Sequence, residues 1–380
     1  MAHFWFWLLN FFFVLFCQFS LAQKPKKGIT IEGRYTFDFA TNALGGIKRG
    51  TAYLGNLDLT VEFNTETLNL WEGGQFFSYL LNNHGNSLSS LIGDYQIANN
   101  IEAESHSRLY QFWYKQNFEN WSILIGQHDL NSVFAITDAG SNFINSSFGI
   151  QPDLSTNFPA SIFPLATLGV VLEWNIGKNF KFNNAIYDGD PGTESGNPNS
   201  LTFKLSKTEG VLIINEIQIY LLNKKVNEGI YKIGLWNHTQ NKVINNKGYN
   251  STHGVYFIGD QNIFQNSLKN INVFTQIGVS LSHINPVKSY IGSGLWLQGF
   301  YQKRALDGMG IAIAKNNFSE FYKTQFSEKI ENEIAIELTY DWVKNDKMSI
   351  KPNIQYIINP GSSIDIANSI MALIRFDLSW

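Results

Sequence analysis

Residues 370–380 read Ile370-Met371-Ala372-Leu373-Ile374-Arg375-Phe376-Asp377-Leu378-Ser379-Trp380, and every second position from Ile370 to Trp380 is apolar. Side chains alternate across a strand, so one face is wholly apolar while the other carries Arg375, Asp377 and Ser379. In a water-soluble strand the apolar face would meet a core and the polar face water. Here the run stops on the aromatic itself, as in the closing strand of a barrel that sets apolar residues toward lipid and polar ones toward a wet lumen.

The same pattern recurs upstream. Ile29, Ile31, Gly33, Tyr35, Phe37 and Phe39 share one face, opposite Thr30, Glu32, Arg34, Thr36 and Asp38. Leu57, Leu59 and Val61 lie opposite Asn56, Asp58, Thr60 and Glu62. Such faces are longer than typical sandwich strands and match a tilted crossing of a bilayer. Alternation and turn residues predict sixteen strands, at 29–39, 53–63, 70–81, 108–116, 120–128, 165–174, 179–187, 210–220, 229–238, 252–260, 271–282, 289–302, 307–315, 332–342, 348–358 and 370–380. The stretch 201–206 is assigned to a loop.

The connections alternate in length. One set is short (64–69, 117–119, 175–178, 303–306, 343–347), and the other holds 82–107, 129–164, 188–209 and 316–331; 261–269 and 283–288 fit poorly. Short periplasmic turns and long external loops are the habit of an up-and-down barrel. The fold expected is therefore all-β, a transmembrane antiparallel β-barrel of about 16 strands. Trp71, Trp121, Trp174, Trp342 and Trp380 fall at strand ends or on lipid faces and suit interfacial girdles. The loop 129–164 holds Phe134, Phe143, Phe148 and Phe158, which predicts that it packs into the barrel mouth.

Residues 1–22 read as a signal peptide, with an apolar run from Phe4 to Phe16 and a small-residue cleavage site at Ser20-Leu21-Ala22. The expected barrel is 23–380. The only cysteine, Cys17, lies in that leader, so disulfides, thiol nucleophiles and cysteine metal sites are not expected in the mature chain. A net charge of −3 gives no polybasic footprint for nucleic acid. His84, His106, His128, His238, His253 and His283 are scattered without metal-ligand spacing, and no nucleophile elbow or phosphate-binding glycine loop occurs. Glu331 and Glu333 are close carboxylates, read as lining a lumen or a loop end. No enzyme, metal or cofactor is expected.

Alternation turns a mixed set of charges and aromatics inward: Glu32, Arg34, Asp58, Glu62, Trp113, Lys115, Glu216, Lys232, Trp236, Glu337, Lys351 and Arg375. Charged groups exchange hydrogen bonds with hydroxyls, and a ring face stacks on the CH face of a sugar. The candidate pore and substrate residues are Arg34, Glu62, Arg108, Trp113, Lys115, Glu216, Lys232, Trp236, Glu337, Lys351 and Arg375, with Trp113 and Lys115 expected to border the constriction and Arg108 its entrance.

Several blocks resemble the carbohydrate-selective porins of the OprB type. The closest in pattern is Lys351-Pro352-Asn353-Ile354-Gln355-Tyr356-Ile357-Ile358-Asn359-Pro360-Gly361, which looks like that family's Pro-x-x-Gln-Tyr…Pro-Gly signature. Tyr187-Asp188-Gly189-Asp190-Pro191-Gly192, Arg304 with Asp307-Gly308 to Ala314, and Leu109 to Gln116 are similar too, in order over roughly residues 90 to 380. The resemblance implies a passive outer-membrane diffusion channel favouring saccharides. Its implied partners are small carbohydrates, outer-membrane lipid and the barrel-assembly machinery, as a monomer or homo-oligomer. A general or anion-preferring porin is the alternative channel. A surface-binding adhesive barrel is the alternative of another class.

Overall fold

In the computed structural model, residues 28–203, 205–221, 228–244, 247–249, 251–325 and 330–380 are described. The predicted leader 1–22 lies outside them. Eighteen strands are named in chain order: β1 (Ile29–Gly46), β2 (Gly50–Asn64), β3 (Gly74–Gly85), β4 (Ser107–Asn117), β5 (Trp121–His128), β6 (Thr167–Ile176), β7 (Phe180–Asp188), β8 (Val211–Leu221), β9 (Gly229–His238), β10 (Lys242–Ile244), β11 (Lys247–Tyr249), β12 (Thr252–Gln265), β13 (Asn270–Ser280), β14 (Val287–Gln298), β15 (Gly308–Phe318), β16 (Ile334–Asn345), β17 (Met348–Ile358) and β18 (Ala367–Ser379). All but β10 and β11, which form a separate hairpin, close into one antiparallel barrel of sixteen strands with β1 paired to β18. Closure leaves no unpaired strand edge for the membrane to solvate.

Each predicted span has its strand, and the shifts have local causes. The third was expected from residue 70 but begins at Gly74. Asn69 and Gly73 have positive φ, and the Thr65 hydroxyl bonds the Trp71 and Gly74 carbonyls, so 65–73 is a tight turn. β1 and β2 run further than their apolar faces suggested, leaving 47–49 as the first external connection. Long loops are thus not universal at that end, and 281–286 is a second short one. The poor fit at 261–269 disappears, because β12 continues to Gln265 and the turn is 266–269.

The outer surface is apolar. Ile31, Phe39, Ile125, Val170, Ile233, Ile311 and Leu338 are exposed, which a chain folded in water could not sustain over so wide a belt. The five tryptophans all lie at the short-turn end: Trp121 is the register partner of Trp174, and Trp380 packs on Gly33. The expectation of girdles is corrected to one tryptophan girdle, at the short-turn end. A Cβ at Gly33 would lie 2.3 Å from the Trp380 ring, so glycine makes the seat for that indole.

Inside, the connection 129–166 folds down against one half of the wall. Phe134, Phe143, Phe148 and Phe158 are all buried. Phe143 meets Phe274 and Trp296, with ring centres 5.8 and 5.6 Å away, and Phe158 lies 4.8 Å from Trp236. The loop 86–106 packs on the other side, where Leu88, Leu91 and Ile92 join Ala40, Ala52 and Leu373 of the wall.

Candidate functional site

A loop inside a barrel has no ladder to pair its backbone, and buried N–H groups must find acceptors. The wall supplies them. Glu216 accepts from the Ala135 N–H at 2.9 Å and the Tyr256 hydroxyl at 2.6 Å. Asp260 accepts from the Thr137 hydroxyl at 2.8 Å and the Ala139 N–H at 3.1 Å. Glu337 takes the Ile144 and Asn145 N–H groups at 2.7 and 2.8 Å. Lys232 donates to the Ile136 carbonyl at 2.7 Å. Glu333 does the same for the loop 86–106, accepting from Tyr95 and Gln96 N–H at 2.7 and 2.8 Å. It also holds Gly361 N–H at 2.7 Å, so it is a loop anchor.

The signature block 351–361 shares in this work. Gln355 donates to the Ala98 carbonyl at 2.8 Å and accepts from Asn145 at 3.1 Å, tying both loops to one strand. Asn353 donates to Glu337 at 2.6 Å.

What the loops leave open is a cavity of about 730 Å³ against β1, β2, β3, β17 and β18. Its wall carries Arg34, Asp58, Tyr79, Lys351, Arg375 and Asp377. Asn100, Glu102, Asp129 and Asn131 face it from the loops. The charges are compensated in place. Arg34 meets Asp377 at 2.7 Å, Arg375 meets Asp38 at 2.8 Å, and Lys351 lies 3.5 Å from Asp341. Asp58 accepts from Tyr79 and Asn56 at 2.7 and 2.6 Å. At the root of the long loop, burial lifts the Asp129 carboxyl to about 6.

The sequence-derived candidates therefore separate. Arg34, Lys351 and Arg375 line the cavity. Glu216, Lys232 and Glu337 point inward as expected but lie buried beneath the long loop. Trp236 is covered by Phe158. Trp113 and Lys115 do not line the cavity: Trp113 stacks on Phe77 at 4.8 Å, and Lys115 bonds Glu173 at 2.6 Å, where Lys181 also binds. Glu62 is likewise outside the lining. Arg108 is buried, held by Glu194 at 3.0 Å and the Pro164 carbonyl at 3.1 Å, so it ties external loops together. Tyr79 and Asp377 were missed as site residues. Asp377 stood on the polar face of the opening stretch, but its role depends on β1 lying beside β18.

Among the described residues, no three His, Cys, Asp or Glu side chains are grouped to hold a metal ion.

Comparison with known proteins agrees with this architecture. The sequence profile described as "Carbohydrate-selective porin, OprB family" matches residues 48–379. Porin B of Pseudomonas aeruginosa is 23% identical over 411 residues, covering 92% of this chain and 87% of that protein. The high-pH structure of Pseudomonas putida OprB superposes with a TM-score of 0.85 at 18% identity, over 93% of this chain and 94% of that one. The outer-membrane channel DcaP of Acinetobacter baumannii has a TM-score of 0.57 at 9% identity, covering 95% of this chain and 99% of its own.

Proposed function

The chain belongs to the carbohydrate-selective porin family OprB, and from that membership we propose that Arg34, Asp58, Tyr79, Lys351, Arg375 and Asp377 form its sugar-discriminating passage. The protein is a bacterial outer-membrane channel through which sugars diffuse. The observation that carries the proposal is the pairing of the lining charges, Arg34 with Asp377 above all. Compensated charges give ions of either sign no continuous rail. They still offer fixed donors and acceptors to a hydroxylated solute, and Tyr79 adds a ring. Several weak contacts in series let a solute enter and leave, so no energy source is required.

This reading favours a saccharide channel over an anion-preferring one, because each basic group in the passage has an acidic neighbour. Trp113 and Lys115 take a lesser part, since they line another stretch of wall. The apolar belt is the surface for outer-membrane lipid, and β18 with Trp380 is the element offered to the barrel-assembly machinery.

The test is sugar block of ion current in planar bilayers. Arg34→Ala and Asp58→Asn should each weaken block by glucose several-fold while the channel still conducts. Unchanged block in both variants would move the passage elsewhere in the lumen.

A further inference from the structure

Beneath the long loop, on the periplasmic side, the wall holds a second cavity of about 410 Å³. Its lining is built from carboxamides at adjacent register positions. Asn262 on β12 pairs with Asn272 on β13, which pairs with Trp296 on β14; one row below, Asn270 pairs with Gln298. All of them line the cavity, and Asn142 of the loop closes it from above.

The amides are not used up among themselves. Asn262 donates to Asn272 Oδ1 at 3.0 Å and also to Asn270 Oδ1, while its own Oδ1 is buried without a partner among the described residues. Asn270 and Asn272 accept these bonds through oxygen, which leaves their NH₂ groups as donors. The row ends on an indole set into the wall. Cβ atoms at Gly308 and Gly310 of β15 would stand 2.3 and 2.5 Å from Trp296 ring atoms, so the glycines make room for the ring to lie flat. These glycines belong to the Asp307-to-Ala314 block, which takes no part in lining the charged cavity.

Among the described residues lining the cavity the charged groups are Asp138, Glu228 and Asp260, with no Lys or Arg. An anion finds no counter-charge among those lining residues. A neutral polyhydroxylated solute finds mixed donors and acceptors beside an aromatic edge.

We propose that this carboxamide-and-indole cavity is a separate, exit-side subsite for neutral saccharides, occupied after the charged passage and before release to the periplasm. The proposal rests on the saccharide-channel reading and adds a second station to it. Its position below the loop makes it more accessible to a sugar arriving from the periplasmic side than to one arriving from outside.

Channels inserted in one orientation into a planar bilayer, with glucose or maltose added to one side at a time, test it. In the variant carrying Asn272→Ala and Gln298→Ala, block by periplasmic-side sugar should weaken several-fold, and block by external-side sugar should change far less. Only inserted, conducting channels are read, so misfolded protein does not enter the result. Equal weakening from both sides, or no change from either, overturns the subsite. Wild-type channels that neither sugar blocks overturn the saccharide reading itself, and the subsite with it.

Discussion

Arg375 of the last strand and Asp38 of the first are register partners across the seam that closes the barrel, with Nη2 and Oδ2 2.8 Å apart and both side chains buried. Asn99 of the loop 86–106 completes the contact, donating to Asp38 at 2.7 Å and accepting from Arg375 at 3.1 Å. Seam and loop are thus joined through one ion pair. Removing one partner of a buried pair strands the other charge, so Arg375→Ala should cost about 3–5 kcal/mol. Asp38→Asn combined with Arg375→Gln should recover much of it. The heat at which the detergent-extracted barrel loses its compact gel mobility measures both, and a double variant no better than Arg375→Ala would refute the coupling.

The lipid face should reject charge according to depth. Ile233 is exposed in the middle of β9, between Phe257 and Ile217. Ile233→Arg should cost about 2–4 kcal/mol, the range for a midplane position. Leu59 looked equally suitable from its apolar face, but it pairs with Gly33, where Trp380 sits. At that girdle level Leu59→Arg should cost about 0–1 kcal/mol. Equal losses of folded barrel in the two variants would place the membrane differently on the wall.

Glu337→Ala should loosen the long loop. The carboxylate accepts from Ile144 N–H, Asn145 N–H, Thr339 and Asn353, all without solvent access. Each backbone donor left without an acceptor costs about 1–3 kcal/mol. Open-channel current noise should rise and mean conductance increase, while Glu337→Gln, which keeps an acceptor oxygen, should lie between. A quiet channel of unchanged conductance would mean the apolar contacts alone hold the loop.

Asp153 gives a pH dependence. It is fully buried in the long loop, and burial raises its pKa to about 7 against the lowering effect of Gln151 and Trp236 beside it. In the unfolded chain the group titrates at about 3.9. Between those values the folded state keeps a proton that the unfolded state has lost. The contribution is therefore full at low pH and lost as pH rises through about 7. Asp153→Asn should leave thermal stability nearly unchanged at pH 4 and raise it at pH 8. The same shift at both values would refute an ionisation effect.

Trp380→Ala should lower the amount of inserted protein more than the stability of barrels already formed. The indole lies against Gly33, while the 3.0 Å bond to the Gly33 carbonyl comes from the Trp380 backbone N–H and survives in alanine. Comparing outer-membrane levels with the heat-conversion temperature separates the two effects. Unchanged levels would remove the assembly role.

Period-two alternation determined the barrel, its sixteen strands and the inward set, because lipid on one side forces an apolar residue at every second position whatever the distant chain does. Turn geometry was less legible: the bend that begins at Asn69 carries on to Gly73, inside a run that alternates like a strand. The fate of the inward residues was not local at all. Glu216, Lys232 and Glu337 read like Arg34, Lys351 and Arg375 in the sequence, yet the first three lie under the long loop and the others line the passage. Which is which follows from where residues 129–166 come to rest, and that depends on backbone donors meeting carboxylates far away in the chain. Ile144 to Glu337 is such a contact, between residues 193 positions apart. No periodicity within either segment records it, so the wall was determined by the sequence pattern and the passage only by the tertiary structure.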